Sequence, residues 1–581
     1  MKKIISGNEA IALSFLDSGG VFASGYPGTP GTEVLEEVAR LGGACCEWAP
    51  NEKVALESAI GASIAGGRAM AAMKHVGVNV AADPLMTIAY IGVNAGLILM
   101  VADDPGMHSS QNEQDSRNYA KFAKIPMLDP ADSQEAYDFV RAGFDISEQF
   151  DTPVMLRTTT RISHANGVAE QREKIRPRVG KWVKDVPKYV MLPSFGKIKH
   201  LEIEERLLRL REFAEITPLN RVEMGDTGLG IITSGVSYQH VREAYPDASI
   251  LKLGLIHPLP EKMIRKFAVK VGRLMVVEEL DAIFEEQIRA MGIRVNIGKE
   301  RIPLCGEISA DIIRAATGDA RTSESVAPVA GLPERLPTLC PGCAHRGIFS
   351  VLSKLKLFVS GDIGCYTLGA LPPMSAIHFC ICMGASISAA HGMAKVNEIA
   401  GGREKPVAII GDSTFFHSGI TGLLGMAYNS GNALVIIMDN RTTGMTGGQE
   451  NPGSGRLLSG EPSRQIDIMA LVKALGIENV VEINSYNLKE TEAAVKKGLE
   501  TVGPYVLIDK NPCVLRYRLK RPVMTVDQDK CTGCSACLTV ACVPLGLTSS
   551  GGSPKVSVDP NICNGCGVCT QLCKFNAMSK V

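Results

Sequence analysis

The sequence predicts an α/β protein of several domains, with parallel sheets flanked by helices. Two observations carry that prediction. Short unbroken apolar runs alternate with helical periodicity along most of the chain, and a cysteine-dense tail closes it. Composition agrees: 45% of the 581 residues are apolar and 21% charged, as in a well-cored globular chain. Lysine plus arginine, at 61, equals aspartate plus glutamate, so no nucleic-acid or anionic-membrane partner is expected.

Residues 1–175 give the elements in order: a helix in IISGNEAIALSFLDSG, a strand in VFASGYPG, a small-residue helix from about Asn51, then strands GLILMVADD and TPVMLRTT. Strands buried on both faces read as such continuous apolar runs. PLMTIAYIGVNAGLILMVA, 84–102, runs 19 residues without a charge. Gly92 and Gly96 interrupt it, so a helix end, a turn and a strand are expected there, not a membrane span. The N-terminus lacks a long apolar core and a cleavage site, which points to a cytoplasmic chain.

Residues 176–225, charged and spotted with proline, are expected as a connector. A second α/β stretch, 226–320, carries strands GLGIITSG, SILKLGL and RLMVVEEL around the proline-opened helix HPLPEKMIRKFA, and reads as scaffold. Residues 321–338 have linker composition, 339–522 form a third α/β unit, and 523–581 the cysteine-rich tail.

The third unit holds the first chemical signal. PVAIIGD is an apolar strand ending on Gly411-Asp412-Ser413, GITGLLGMAYNSG a crossover helix expected to start near Ser418–Gly419, and ALVIIMDN a second strand. A βαβ unit is right-handed with parallel strands, so Asp412 and Asn440 share the carboxyl edge where α/β sheets bind ligands. Two oxygen side chains suit Mg²⁺, which fills its shell from phosphates; the Thr442 carbonyl could add a third ligand. The spacing of 28 residues fits the magnesium–thiamine diphosphate motif, although Ser413 stands where glycine is usual. An ordinary sheet-edge corner is the alternative.

APNEKVALESAIGASIAGGRAMAAM, 49–73, is similar to the pyrimidine-domain helix of thiamine diphosphate enzymes, with Glu52 at the catalytic glutamate. That cofactor reacts through a carbanion at its thiazolium C2, formed when a carboxyl group protonates N1′ of the aminopyrimidine. A desolvated glutamate suits the task. The competing reading is a solvated first-turn glutamate.

Eight of the 17 cysteines lie in the last 51 residues. Paired C-x₂-C-x₂-C runs are the ligand pattern of a two-cluster ferredoxin, in which each fourth cysteine serves the other cluster. Cys531, Cys534, Cys537 and Cys573 would hold one [4Fe–4S], and Cys563, Cys566, Cys569 and Cys542 the second. Zinc is the alternative, but its ligands come as separated pairs. Four residues, not three, part Cys537 from Cys542. Cys45-Cys46 and Cys380-Ile-Cys382 are expected as buried thiols.

Together these features resemble the 2-oxoacid:ferredoxin oxidoreductases over essentially the whole chain, in the branch acting on aryl pyruvates such as indolepyruvate. GYPGTPGTEV (25–34), DDPGMHSSQNEQDSR (103–117), CPGCAHRG (340–347), GDIGCYTLG (361–369), TGGQ (446–449) and the ferredoxin tail carry the resemblance. It implies pyrimidine-binding, transketolase-C-like, diphosphate-binding and 2[4Fe–4S] ferredoxin-like domains in that order. It also implies oxidation of aryl pyruvates with coenzyme A to aryl-acetyl-CoA, CO₂ and reduced ferredoxin.

A small beta subunit carrying a gamma-type domain would complete the enzyme, as an α2β2 heterotetramer. By the same resemblance Thr29 lies near the 2-oxo acid, His108 and Arg117 receive its carboxylate, and Cys340, Cys343 and His345 sit beside the cofactor with Gly447 and Gly448. The residues of CPGC could equally be half of a zinc site, with no second pair evident. A thiamine-dependent decarboxylase with a structural iron–sulfur tail, and a non-catalytic electron-transfer scaffold, are the rival readings.

Overall fold

Unbroken apolar runs become buried parallel strands throughout the protein. In a computed structural model, the described residues are 2–177, 179–181, 183–319, 331–332, 337–402, 404–519, 521–548 and 554–580. They fall into two compact units, Met1–Val329 and Ala330–Val581.

The first unit is organised by a seven-stranded sheet, in the order Leu255–His257, Met127–Leu128, Val154–Thr159, Leu97–Asp103, Ala69–Lys74, Phe22–Gly25, Cys45–Trp48. All its pairings are parallel except that of Leu255–His257. The uncharged stretch 84–102 is a helix, Ala82–Ile91, a left-handed Gly92 (φ 70°) and the buried strand Leu97–Asp103. No helix among the described residues is long and apolar enough to cross a membrane.

The 226–320 stretch, joined by Arg221–Glu223 from the expected connector, forms a second sheet, ordered Arg273–Val277, Asp226–Ser234, Ala248–Leu253, Arg221–Glu223. It does not keep to itself. Leu255–His257 leaves it at Gly254, where a Cβ would lie 2.5 Å from the Leu219 carbonyl oxygen, and pairs antiparallel with Met127–Leu128. One core runs from Leu56, Leu85 and Leu99 through to Ile232, Leu251 and Phe284. The 176–225 stretch contributes the helix Pro193–Ala214, whose buried Arg206 donates to the Ala89 and Asp151 carbonyls. Most of the expected linker at 321–338 lies outside the described residues.

The second unit has a six-stranded, wholly parallel sheet: Phe379–Cys380, Val359–Gly361, Val407–Gly411, Leu434–Asp439, Tyr505–Lys510, Val480–Ile483. Its tail is a pair of small antiparallel ribbons, Met524–Val526 with Met578–Lys580 and Leu545–Thr548 with Lys555–Val558. Between them lie two short 3₁₀ turns, Ala536–Val540 and Cys569–Leu572.

Candidate active site

Val407–Gly411 and Leu434–Asp439 pair in parallel, so Asp412 and Asn440 both leave the sheet at its carboxyl edge. Gly411 is required there: a Cβ would meet the Tyr366 ring at 2.7 Å. The chain turns helical at Asp412 itself, not near Ser418–Gly419 as the sequence suggests. A single turn, Asp412–Thr414, runs into a π-helical stretch, Phe415–Gly419, and then into Ile420–Tyr428. No glycine or proline breaks STFFH, and Phe415 within it is fully buried. π-helical insertions of this kind gather at functional sites.

Ser413 explains its departure from glycine. Its hydroxyl shares a 2.8 Å hydrogen bond with Thr443, tying the Asp412 corner to the Asn440 loop. In that loop the Asn440 amide oxygen accepts the Thr442 N–H (3.1 Å), and the Thr442 hydroxyl donates to the Gln449 carbonyl (3.1 Å). Gly447 and Gly448 hold φ of 122° and 92°, which side chains rarely adopt.

Asp412 is 1% exposed, and its carboxylate accepts from Asn451 Nδ2 at 3.0 Å. Burial, with Asp439 close by, pushes its pKa up to about 7. A buried acid with another acid beside it and, among the described residues, no cation in contact is the donor chemistry of a divalent-metal site.

The loops of the same edge enclose a cavity of about 420 Å³. Asn440, Gly447 and Gly448 line it, as do Cys340, Cys343 and His345. Two further cysteines share the wall, Cys365 and Cys513, which sequence reasoning missed because each stands alone in the chain. The parallel sheet collects them: Cys365 follows strand Val359–Gly361 and Cys513 follows Tyr505–Lys510. The Cys513 N–H donates to the Asn440 carbonyl at 3.0 Å.

Burial raises the thiol pKa values of Cys340 and Cys343, and that of Cys365 to about 11. Burial lowers His345 to about 4, and its Nδ1 is buried with no hydrogen-bond partner among the described residues. Among the described residues no three metal-ligating side chains converge on one point. The four thiols instead share the wall of one cavity, donors of the kind an iron–sulfur cluster uses.

The tail repeats the arrangement. Cys531, Cys534, Cys537 and Cys573 line one small cavity. Cys566 and Cys569 lie within electrostatic reach of Cys542 and Cys563, and burial followed by these neighbours pushes Cys569 up to about 12. Backbone N–H groups of Met524 and Gly565 point at the Cys563 sulfur (3.5 and 3.4 Å), and that of Ala577 at Cys573 (3.3 Å). Sulfurs crowded together and met by N–H donors fit thiolate ligands of iron.

Two of these cysteine loops interlock. Gly342 (φ 73°), between Cys340 and Cys343, packs against Asn564, between Cys563 and Cys566; a Cβ on the glycine would lie 2.6 Å from the Asn564 side chain. Arg346, 1% exposed, donates to the Cys340 carbonyl at 3.2 Å and to the Val540 carbonyl at 2.7 Å.

In the first unit Glu52 opens the helix Glu52–Ile64, with Asn51 as its cap. It is 4% exposed, so it is not the solvated first-turn glutamate of the competing reading. Gly77 lies against it: a Cβ there would fall 2.6 Å from Glu52 Cγ. Thr29 is half-buried in the loop after Phe22–Gly25, and its carbonyl accepts from the Ser109 hydroxyl at 3.2 Å. His108 is exposed and pairs with Glu307 at 3.2 Å.

Arg117 corrects an expectation. Its guanidinium, 3% exposed, is buried against Asp115, Glu278 (2.6 Å) and the Glu279 and Asp281 carbonyls, two carboxylates with which a substrate carboxylate would have to compete. The thiols expected to be buried also differ: Cys45 and Cys382 are exposed, Cys46 and Cys380 half-buried.

The chain is similar to known proteins over most of its length. Residues 362–508 match the family model "Thiamine pyrophosphate enzyme, C-terminal TPP binding domain". Residues 16–182 match "Pyruvate flavodoxin/ferredoxin oxidoreductase, thiamine diP-bdg". A Pyrococcus horikoshii protein named indolepyruvate oxidoreductase subunit IorA is 40% identical, across 100% of this chain and 97% of its own. Its namesake from Methanothermobacter thermautotrophicus is 39% identical, across 95% and 93%. Among solved structures, a 2-oxoglutarate:ferredoxin oxidoreductase from Magnetococcus marinus aligns with a TM-score of 0.46 at 18% identity, over 55% of this chain and 65% of that one.

Proposed function

The chain belongs to the family of indolepyruvate oxidoreductase IorA subunits, and on that premise we propose that it oxidises aryl pyruvates, such as indolepyruvate, with coenzyme A. The products are aryl-acetyl-CoA and CO₂, and the electrons pass through iron–sulfur clusters to ferredoxin. One observation carries the reading: the Asn440 loop beside the Asp412 corner shares a cavity with four cysteines, and that cavity's CPGC loop interlocks with a cysteine loop of the tail. A decarboxylase that releases an aldehyde has no use for such a chain of thiols.

The residues divide the work. Asp412, Asn440 and the Thr442 carbonyl would hold Mg²⁺, with Gly411, Ser413, Gly447 and Gly448 around the diphosphate. Glu52 would keep a proton at N1′ of the aminopyrimidine. Thiamine diphosphate, when bound, supplies the carbanion that adds to the 2-oxo carbonyl. Cys340, Cys343, Cys365 and Cys513 would carry a cluster beside it, and the tail two [4Fe–4S] clusters in a ferredoxin-like domain. The relatives are named as subunits, in keeping with a small beta subunit that completes an α2β2 enzyme.

The test is a panel of indolepyruvate, phenylpyruvate, pyruvate and 2-oxoglutarate, given to anaerobically reconstituted protein with its partner subunit. Aryl substrates should yield acyl-CoA and reduced ferredoxin fastest. Free aldehyde with ferredoxin left oxidised would sink the reading.

A further inference from the structure

The buried cations at the carboxyl edge of the first unit's sheet are of two kinds. Arg157, 3% exposed, binds Asp103 at 2.7 Å and Asp129 at 3.3 Å, while Arg117 is bound as described. Lys74, 7% exposed at the end of strand Ala69–Lys74, has no carboxylate partner among the described residues. Its Nζ donates to the Ser109 carbonyl (2.8 Å) and, weakly, to the Ser109 hydroxyl (3.4 Å). The acid that acts on it, Asp104, is occupied by the Ser109 N–H (2.9 Å), the Ser110 hydroxyl and the Thr160 hydroxyl (2.7 Å). An ammonium carries three N–H bonds, so one is left over.

Lys74 is surrounded by residues that the family resemblance assigns to substrate and catalysis. A Cβ on Gly28 would lie 3.0 Å from Lys74 Cβ, and Ser109, its acceptor, also holds the Thr29 carbonyl. The chain then runs directly into the helix His75–Val80, whose Gly77 abuts Glu52. A buried cation with no carboxylate in direct contact is costly, and an arriving anion would relieve it.

We propose that the Lys74 ammonium receives the carboxylate of the 2-oxo acid, the role expected of Arg117, whose charge Asp115 and Glu278 already balance. The proposal rests on 2-oxo acid oxidation being the reaction. Burial holds the amine at about pKa 8, so it is charged at neutral pH and deprotonates under mildly alkaline conditions.

The test uses indole-3-propanoate and its neutral amide, unreactive analogues that differ in charge at one end, as competitive inhibitors of the reconstituted holoenzyme. Wild type should prefer the acid by about 10- to 100-fold. Lys74→Met and Lys74→Gln should lose that preference without losing affinity for the amide, and Lys74→Arg should restore it. The glutamine keeps a donor for Ser109, so the comparison stands if the methionine variant folds poorly. An acid preference that survives in a folded neutral variant would overturn the proposal. A wild-type holoenzyme that oxidises no 2-oxo acid would refute the assigned reaction instead.

Discussion

The two sheets end in opposite electrostatic states. At the first unit's edge, Arg117 and Arg157 are paired with Asp103, Asp115, Asp129 and Glu278 in a network of buried ion pairs. At the second unit's edge, Asp412 is buried with its pKa pushed up to about 7, and four thiols face a cavity. One edge already holds its arginines in ion pairs; the other gains from cations. Substrate-side architecture and cofactor-side architecture therefore respond differently to the same kind of substitution.

The largest expected effect is Glu52→Gln. The amide cannot deliver a proton to the aminopyrimidine, so kcat should fall by about 10²–10⁴-fold with thiamine diphosphate still bound. Steady-state assays beside cofactor titrations check this, and a joint loss of cofactor would mean that Glu52 is structural.

Removing a charge should destabilise the first edge and relieve the second. Arg117→Met strands Asp115 and Glu278 and should cost about 3–5 kcal/mol of stability in chemical denaturation. Asp412→Asn should do the reverse in cofactor-free protein. A folded pKa raised to about 7 means that this carboxyl's stabilisation is complete below the unfolded value near 4 and is lost as pH rises through 7. The aspartate-bearing protein should thus weaken across that window by roughly 2–4 kcal/mol relative to the asparagine variant. Mg²⁺ with thiamine diphosphate should rescue only the aspartate form. Flat, superimposable pH profiles would contradict the unfinished-edge account.

A smaller change sharpens the comparison inside the first unit. Gly77→Ala puts a methyl group where Glu52 lies, and misplacing that carboxyl should lower kcat by about 10- to 100-fold with cofactor affinity nearly unchanged. Wild-type kcat in this variant would show that Glu52 tolerates displacement.

Both edges were partly readable from residues alone, and for a physical reason. Parallel strands buried on both faces must be continuously apolar, so PVAIIGD and ALVIIMDN announced themselves, and the βαβ rule put Asp412 and Asn440 on one edge. What escaped depends on distant packing. Cys365 and Cys513 are isolated in sequence and meet Cys340 and Cys343 only because three loops of one sheet converge. Arg117 sits in a polar stretch that reads as a surface loop, yet Asp115 and Glu278 bury it. Lys74 closes the apolar strand AMAAMK, where an ordinary edge lysine is expected to reach solvent. The switch of Leu255–His257 into the neighbouring sheet carries no local signal beyond Gly254.

The most direct measurement is rapid mixing of anaerobic, reconstituted holoenzyme with indolepyruvate in the absence of ferredoxin, following iron–sulfur absorbance and CO₂ together. The account predicts that the clusters bleach as CO₂ is released, and that Cys513→Ala slows the bleaching while CO₂ release from the first turnover persists. CO₂ formed at full rate with the iron–sulfur absorbance unchanged in the wild type would contradict it.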